Sequence, residues 1–144
     1  KPVEERVPIK IMFFTPGGDL DVNNSLIDLI MMSKTPVVGI NMGVAQSAGS
    51  FIFLACHKRY AMPKSAFLLH QGSAQMAGTH EQVTQVTAEY KRQIDGLTDF
   101  VEQRTKIPRK TLISKIKKEW FISAAEALEL GICDKIVDSI EELL

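Results

Sequence analysis

Apolar residues in this chain fall into short unbroken runs that alternate with longer stretches spaced in threes and fours. Ile9 to Phe14, interrupted only by Lys10, is too short for a helix and is halted by Thr15-Pro16-Gly17-Gly18, so it predicts a buried strand. Val22, Leu26, Leu29 and Ile30 then recur at helical spacing up to Lys34, with Asp21 as the cap. Pro36 to Met42 predicts a second strand, the small residues Gly43-Val44-Ala45-Gln46 a turn, and Ser47 to Ala55 a second helix. Such strand–helix alternation implies an α/β fold with a mostly parallel sheet and right-handed crossovers.

Further along, Tyr60 to Met62 and Ala66 to Leu69 predict short strands around Pro63-Lys64-Ser65. Gln71 to Thr79 is rich in Gly, Ser and Ala without periodicity and reads as a loop or a flexible edge strand. Thr79 and Gln82 form a capping-box pattern, after which Val83, Val86, Tyr90, Ile94, Leu97 and Val101 mark one long amphipathic helix. A shorter helix follows Pro108. Ser123 and Glu126 form a second capping box, Gly131 is the natural helix stop, and Ile132 to Val137 closes as a strand. No internal repeat or linker divides the chain.

Composition narrows the function classes. At 144 residues the chain is sized for one domain, 1–144, burying roughly two thirds of its unfolded surface. Its 17 basic and 17 acidic residues cancel, and no basic stripe argues for nucleic acid. Lys10, Pro16, Gln46 and Ser50 interrupt every apolar stretch well short of the roughly 18 residues of a membrane span, and no signal-peptide pattern opens the chain. Cys56 and Cys133 lack the paired spacing of a disulfide framework or zinc site, which points to buried fillers in a reducing compartment. The first residue is Lys1 rather than Met, which suggests a trimmed chain.

Three places carry candidate chemistry. Ser47, in Ala45-Gln46-Ser47-Ala48-Gly49, stands between a predicted strand and a helix among residues without bulk. A tight turn there would expose its hydroxyl at a helix N-terminus, although a serine in that position can equally be a plain helix cap. Thr15-Pro16-Gly17-Gly18 ends the first strand, where open α/β sheets bind ligands; paired glycines let a backbone N–H face a substrate oxygen, or simply make a turn. His70, in Leu68-Leu69-His70-Gln71-Gly72, ends an apolar strand and supplies an imidazole, a base suited to neutral pH. His57, beside Lys58 and Arg59, reads as part of a solvated turn, and His80 falls in the first turn of the long helix.

With these residues in view, the sequence resembles the proteolytic subunit of the Clp proteases, within the larger crotonase-like group. The resemblance runs from about Ile9 to Ile140. It is carried by Thr15-Pro-Gly-Gly18, Gly43-Val-Ala-Gln-Ser-Ala-Gly49, Leu69-His-Gln71, Phe121-Ile-Ser-Ala-Ala-Glu-Ala127 and Gly131-Ile-Cys-Asp134, in the family's order and with similar spacing. It implies a spiral of βαβ units with a protruding strand–helix handle, and a serine endopeptidase acting on unfolded proteins or peptides. Ser47 would be the nucleophile and His70 the general base, with Gly18 and Ala48 supplying the N–H donors of the oxyanion hole. No cofactor or metal is implied. The resemblance further implies a cytoplasmic homo-oligomer: rings of seven subunits that can pair through the handle, with polypeptide substrates fed by a ring ATPase chaperone, and with neither nucleic acid nor membrane as partner. Set against the family, the chain is also expected to lack a segment that precedes the first strand there.

The sequence also departs from the family. Where the resemblance places the aspartate of the triad stands Glu119, with Lys118 before it in place of arginine. Either carboxylate can orient a histidine, so Glu119 is given that role, with Asp134 as the alternative. Gly72 stands for a usual proline, and Gln46 for a small residue beside the nucleophile. Three rival readings follow: a non-catalytic ring subunit, an acyl-CoA enzyme of the crotonase type, and a serine–lysine peptidase using Lys64 or Lys58.

Overall fold

The structure is a computed structural model that describes residues 1–144. Its spine is β2 (Val37–Gln46), which is hydrogen-bonded on one edge to β1 (Ile9–Thr15). The other edge is shared in succession, first by β3 (Lys58–Ala61) and then by β4 (Ala66–Leu69), all parallel. β5 (Trp120–Ser123) adds to β4 antiparallel, and the two-residue β6 (Lys135–Ile136) adds to β3. Helices α1 (Leu20–Met32), α2 (Ala48–Ala55), α3 (His80–Arg104), α4 (Arg109–Ile116) and α5 (Ala124–Glu129) connect the strands, with one turn of 3₁₀ helix near each end of the chain. This is the α/β architecture with a mostly parallel sheet that the alternation implies.

Several boundaries move. Gly43 to Gln46 is no turn but the second half of β2, because Val44, Ala45 and Gln46 pair with Ala66, Phe67 and Leu68 of β4. Small side chains let that stretch pass between neighbours: a Cβ on Gly43 would lie 2.6 Å from the Phe14 ring. β3 starts two residues before the predicted Tyr60, and β6 keeps only part of Ile132 to Val137. Residues 70–79 form no strand, so the handle is a loop followed by a helix.

The cap of α1 is Asp19 rather than Asp21, its carboxylate accepting the N–H groups of Asp21 and Val22. The helical spacing of α1 does not by itself say which of its residues the core takes. The buried positions are Asn23, Ile27 and Ile30, while Val22, Leu26 and Leu29 are exposed. α1 carries apolar residues on two faces, and the core of one chain covers only one of them.

α2 lies in the middle of the core, with every residue but Ile52 buried. Phe53 on α2 packs edge-on against Phe13 of β1, with ring centroids 5.4 Å apart, and against Phe67 of β4 at 5.0 Å. The last carbonyls of α2 are bound by Arg104, whose Nε and Nη2 reach Leu54 O and Cys56 O at 2.8 and 2.9 Å. Asp134 is likewise structural: its carboxylate accepts the Arg59 N–H at 2.8 Å. Arg59 itself is buried rather than solvated, and desolvation pulls its guanidinium below the usual arginine range. His57 accepts the Val37 N–H on Nδ1 at 2.9 Å, splicing the turn onto β2. Burial pushes the Cys56 thiol up to about 12 and Cys133 to about 11, and both thiols are free.

α3 is two helices in character. The capping box at Thr79 and Gln82 is made in both directions. The C-terminal half buries Leu97, Thr98 and Val101, whereas Val86 in the N-terminal half is exposed. No helix is long and apolar enough to cross a membrane.

Candidate active site

The turn from β2 to α2 holds an unusual backbone conformation. Ser47 has φ 54° and ψ −121° and is the only non-glycine residue with positive φ. A side chain held there costs on the order of 1–3 kcal/mol, which surrounding structure has to offset. Three features do so. The Ser47 N–H donates to Leu68 O of β4 at 2.9 Å. Ser50, almost fully buried, brings its hydroxyl to 2.5 Å from Ala45 O and 2.9 Å from Leu68 O, tying the helix start to the ends of both strands. Gly17 and Gly49 allow neighbouring segments to close in: a Cβ on Gly17 would lie 2.9 Å from Ser47 Cβ, and one on Gly49 would lie 2.3 Å from Thr15 Cγ2.

Ser47 makes no side-chain cap bond to its helix. The plain-cap reading of this serine therefore fails, and its hydroxyl is left free for other use. Ala48 opens α2, and the first N–H groups of a helix have no carbonyl inside the helix to receive them. Gly18 offers open space around its Cα and lines the cavity beside Ser47. Ala48 is buried and does not line it.

His70 follows β4 directly, and its partner comes from the strand that sequence patterning missed. β5 pairs with β4 so that Leu69 faces Trp120 and Leu68 faces Phe121. Continuing that register by one residue puts Glu119 opposite His70, where cross-strand side chains meet. Their side chains are joined: His70 Nδ1 lies 2.8 Å from Glu119 Oε1. An ionised carboxylate only accepts, so Nδ1 is the donor in this contact, and in the neutral imidazole that leaves Nε2 as the acceptor. The His70 side chain is 21% exposed, while that of Glu119 is 58% exposed.

Ser47 and His70 line one cavity of about 270 Å³. Its walls are mostly apolar, with Leu20, Phe51, Leu69, Ile94, Leu97 and Val101 among them. Four sequence-derived residues, Gly18, Ser47, His70 and, through His70, Glu119, are thus gathered at one place. Asp134 is held on Arg59, and neither Lys58 nor Lys64 lines the cavity. Tyr90 and Thr98 belong to the walls, although spacing alone had made Tyr90 one more residue of an apolar stripe. No group of three or more His, Cys, Asp or Glu side chains is placed to hold a metal ion.

Comparison with known proteins supplies the context of this arrangement. A sequence model described as Clp protease matches residues 3–140. The ATP-dependent Clp protease proteolytic subunit of Deinococcus radiodurans is 31% identical over 136 residues, which cover 93% of this chain and 67% of that protein. Proteolytic subunit 2 of Treponema denticola is 29% identical over 138 residues, covering 94% of this chain and 69% of its own length. Among solved structures, a ClpP1 mutant from Listeria monocytogenes superposes with a TM-score of 0.84 at 22% identity, over 95% of this chain and 77% of that one, which establishes the shared fold.

Proposed function

This chain belongs to the Clp protease family of serine peptidases, and from that premise we propose that it hydrolyses peptide bonds of unfolded proteins with Ser47, His70 and Glu119 as its triad. The observation that carries the proposal is the 2.8 Å contact of His70 Nδ1 with Glu119, made beside a cavity that also exposes the strained, uncapped Ser47. Ser47 Oγ attacks the scissile carbonyl while His70 Nε2 takes its proton. Glu119 keeps the imidazole in the correct tautomer and stabilises the imidazolium that forms. The N–H groups of Gly18 and Ala48 receive the oxyanion, an interaction whose loss typically costs about a hundredfold or more. His70 then returns the proton to the departing amine. Water resolves the acyl-enzyme by the same steps in reverse, with its proton passing through His70. The apolar side chain next to the cleaved bond occupies the cavity.

The working unit is a ring-shaped homo-oligomer with its sites facing an enclosed chamber. A single chain leaves Met12 and Phe14 of β1 and Val22, Leu29 and Met32 of α1 exposed, with Phe14 at 76% and Met32 at 80%. Large apolar residues left bare in this number favour burial between subunits. Two buried free thiols suit a reducing compartment, the cytoplasm, and a ring ATPase chaperone would deliver substrate. Digestion of unfolded casein by the assembled protein tests the proposal: it is expected to cease in both Ser47→Ala and His70→Ala. Undiminished digestion by either variant would refute it.

A further inference from the structure

A second cavity adjoins the first, and the two meet at Tyr90. It is an open cleft bordered by Asp19, Asp21, Met76, Val86, Glu89 and Gln93. Gly18, Leu20, Ser73 and Tyr90 line both spaces, and of these only Leu20 and Tyr90 carry large side chains. The change is legible along α3: Val86, Glu89 and Gln93 face only the cleft, Ile94, Leu97, Thr98 and Val101 face only the Ser47 cavity, and Tyr90 faces both.

The ring is also tethered. Its hydroxyl donates to Gln71 O at 2.9 Å, across the gap between α3 and the segment that leaves His70. Gln71 is itself fixed, because its N–H donates to Ile116 O at the end of α4 at 2.9 Å. Gly72, with φ 81°, turns the chain immediately after the tethered carbonyl.

We infer that Tyr90 is a specificity-determining residue, its tethered ring being the partition that caps the size of side chain the Ser47 cavity accepts. This rests on the Ser47 cavity being the one that holds the side chain beside the cleaved bond. With the ring in place, that side chain is confined to a space of about 270 Å³. Without it the cavity opens into the cleft, and an elongated aromatic group can pass through. Apolar pockets separate substrates that differ by a few carbons by roughly 10- to 200-fold, so the partition has a measurable signature.

The test compares two matched fluorogenic peptides, one with leucine and one with biphenylalanine before the cleaved bond, on the assembled protein. Tyr90→Ala is expected to raise the biphenylalanine-to-leucine ratio of kcat/KM by about tenfold or more, within the range of such pockets. Tyr90→Phe keeps the ring but loses the tether, and is expected to raise the ratio about two- to threefold, less than removal of the ring itself. An unchanged ratio in Tyr90→Ala, with fluorophosphonate still reacting at Ser47, overturns the inference. If Tyr90→Ala does not assemble, an unchanged ratio in Tyr90→Phe overturns it instead. Hydrolysis that survives Ser47→Ala would overturn the underlying reading of the site, whatever the ratio.

Discussion

Ser47 and Glu119 serve the same proposed reaction, yet the protein holds them by different means. Ser47 sits at a junction of β1, β2, β4 and α2, where a backbone hydrogen bond, the buried Ser50 hydroxyl and two close glycine contacts fix a strained conformation. Glu119 is more than half exposed, and its position comes from the one-residue extension of a four-residue antiparallel ladder. Strain has to be offset by many contacts, whereas a carboxylate that orients an imidazole needs only the correct register and one hydrogen bond. A nucleophile turn of this kind tolerates little variation, while the acid position leaves room for a longer side chain.

That contrast can be broken at either end. Ser47→Ala is expected to lower kcat by about 10⁶-fold with the fold intact, as loss of a serine nucleophile does elsewhere; peptide hydrolysis within tenfold of the parent would break the comparison outright. Glu119→Gln is expected to cost about 10⁴-fold in kcat, because the amide favours the wrong tautomer of His70. A loss below tenfold would show that this exposed carboxylate does not orient the base. Gly17→Ala should cost about a hundredfold without touching any reacting atom, since its Cβ would fall 2.8 Å from Gln46 O and displace the turn. Glu119→Asp should keep kcat within about tenfold, because the strand register is unchanged and either carboxylate can serve; comparable losses in Asp and Gln would contradict a register-set acid.

The smallest effect concerns the thiols. With Cys56 raised to about 12, its thiolate fraction at pH 8 is about one in ten thousand. Iodoacetamide should therefore modify Cys56 only after denaturation. The linkage sign follows: the folded state keeps a proton that the unfolded chain loses above its ordinary value of 9.0, so this contribution to stability is complete below pH 9 and is lost as pH rises toward 12. Denaturation midpoints that stay level between pH 9 and 11 would contradict it.

Much of the site was legible because strand ends announce themselves. Apolar runs that end at Thr15-Pro-Gly-Gly18, at the small residues leading into Ser47 and at His70 mark the ends where a parallel sheet gathers its chemistry, and the structure brings all three to one place. Glu119 was hidden for a physical reason. Trp120 to Ser123 is four residues long, follows the lysines at 115, 117 and 118, and becomes a strand only by pairing with β4, some fifty residues earlier. The resemblance to a family, not periodicity, pointed to it. Likewise Gly43 to Gln46 looked like a turn because small residues serve turns as well as close-packed strands. The spacing of Val22, Leu26, Leu29 and Ile30 marks α1 as a helix, but both of its faces are apolar, and a pattern cannot say which one its own core will take.

The central claim is that one serine, poised by the turn and served by His70, is the nucleophile. Mapping by mass spectrometry the adduct formed by a fluorophosphonate on the assembled protein tests it most directly. A single adduct on Ser47, abolished in His70→Ala, is the result expected. No adduct between mild acid and mild base, or an adduct on any other serine, would contradict it.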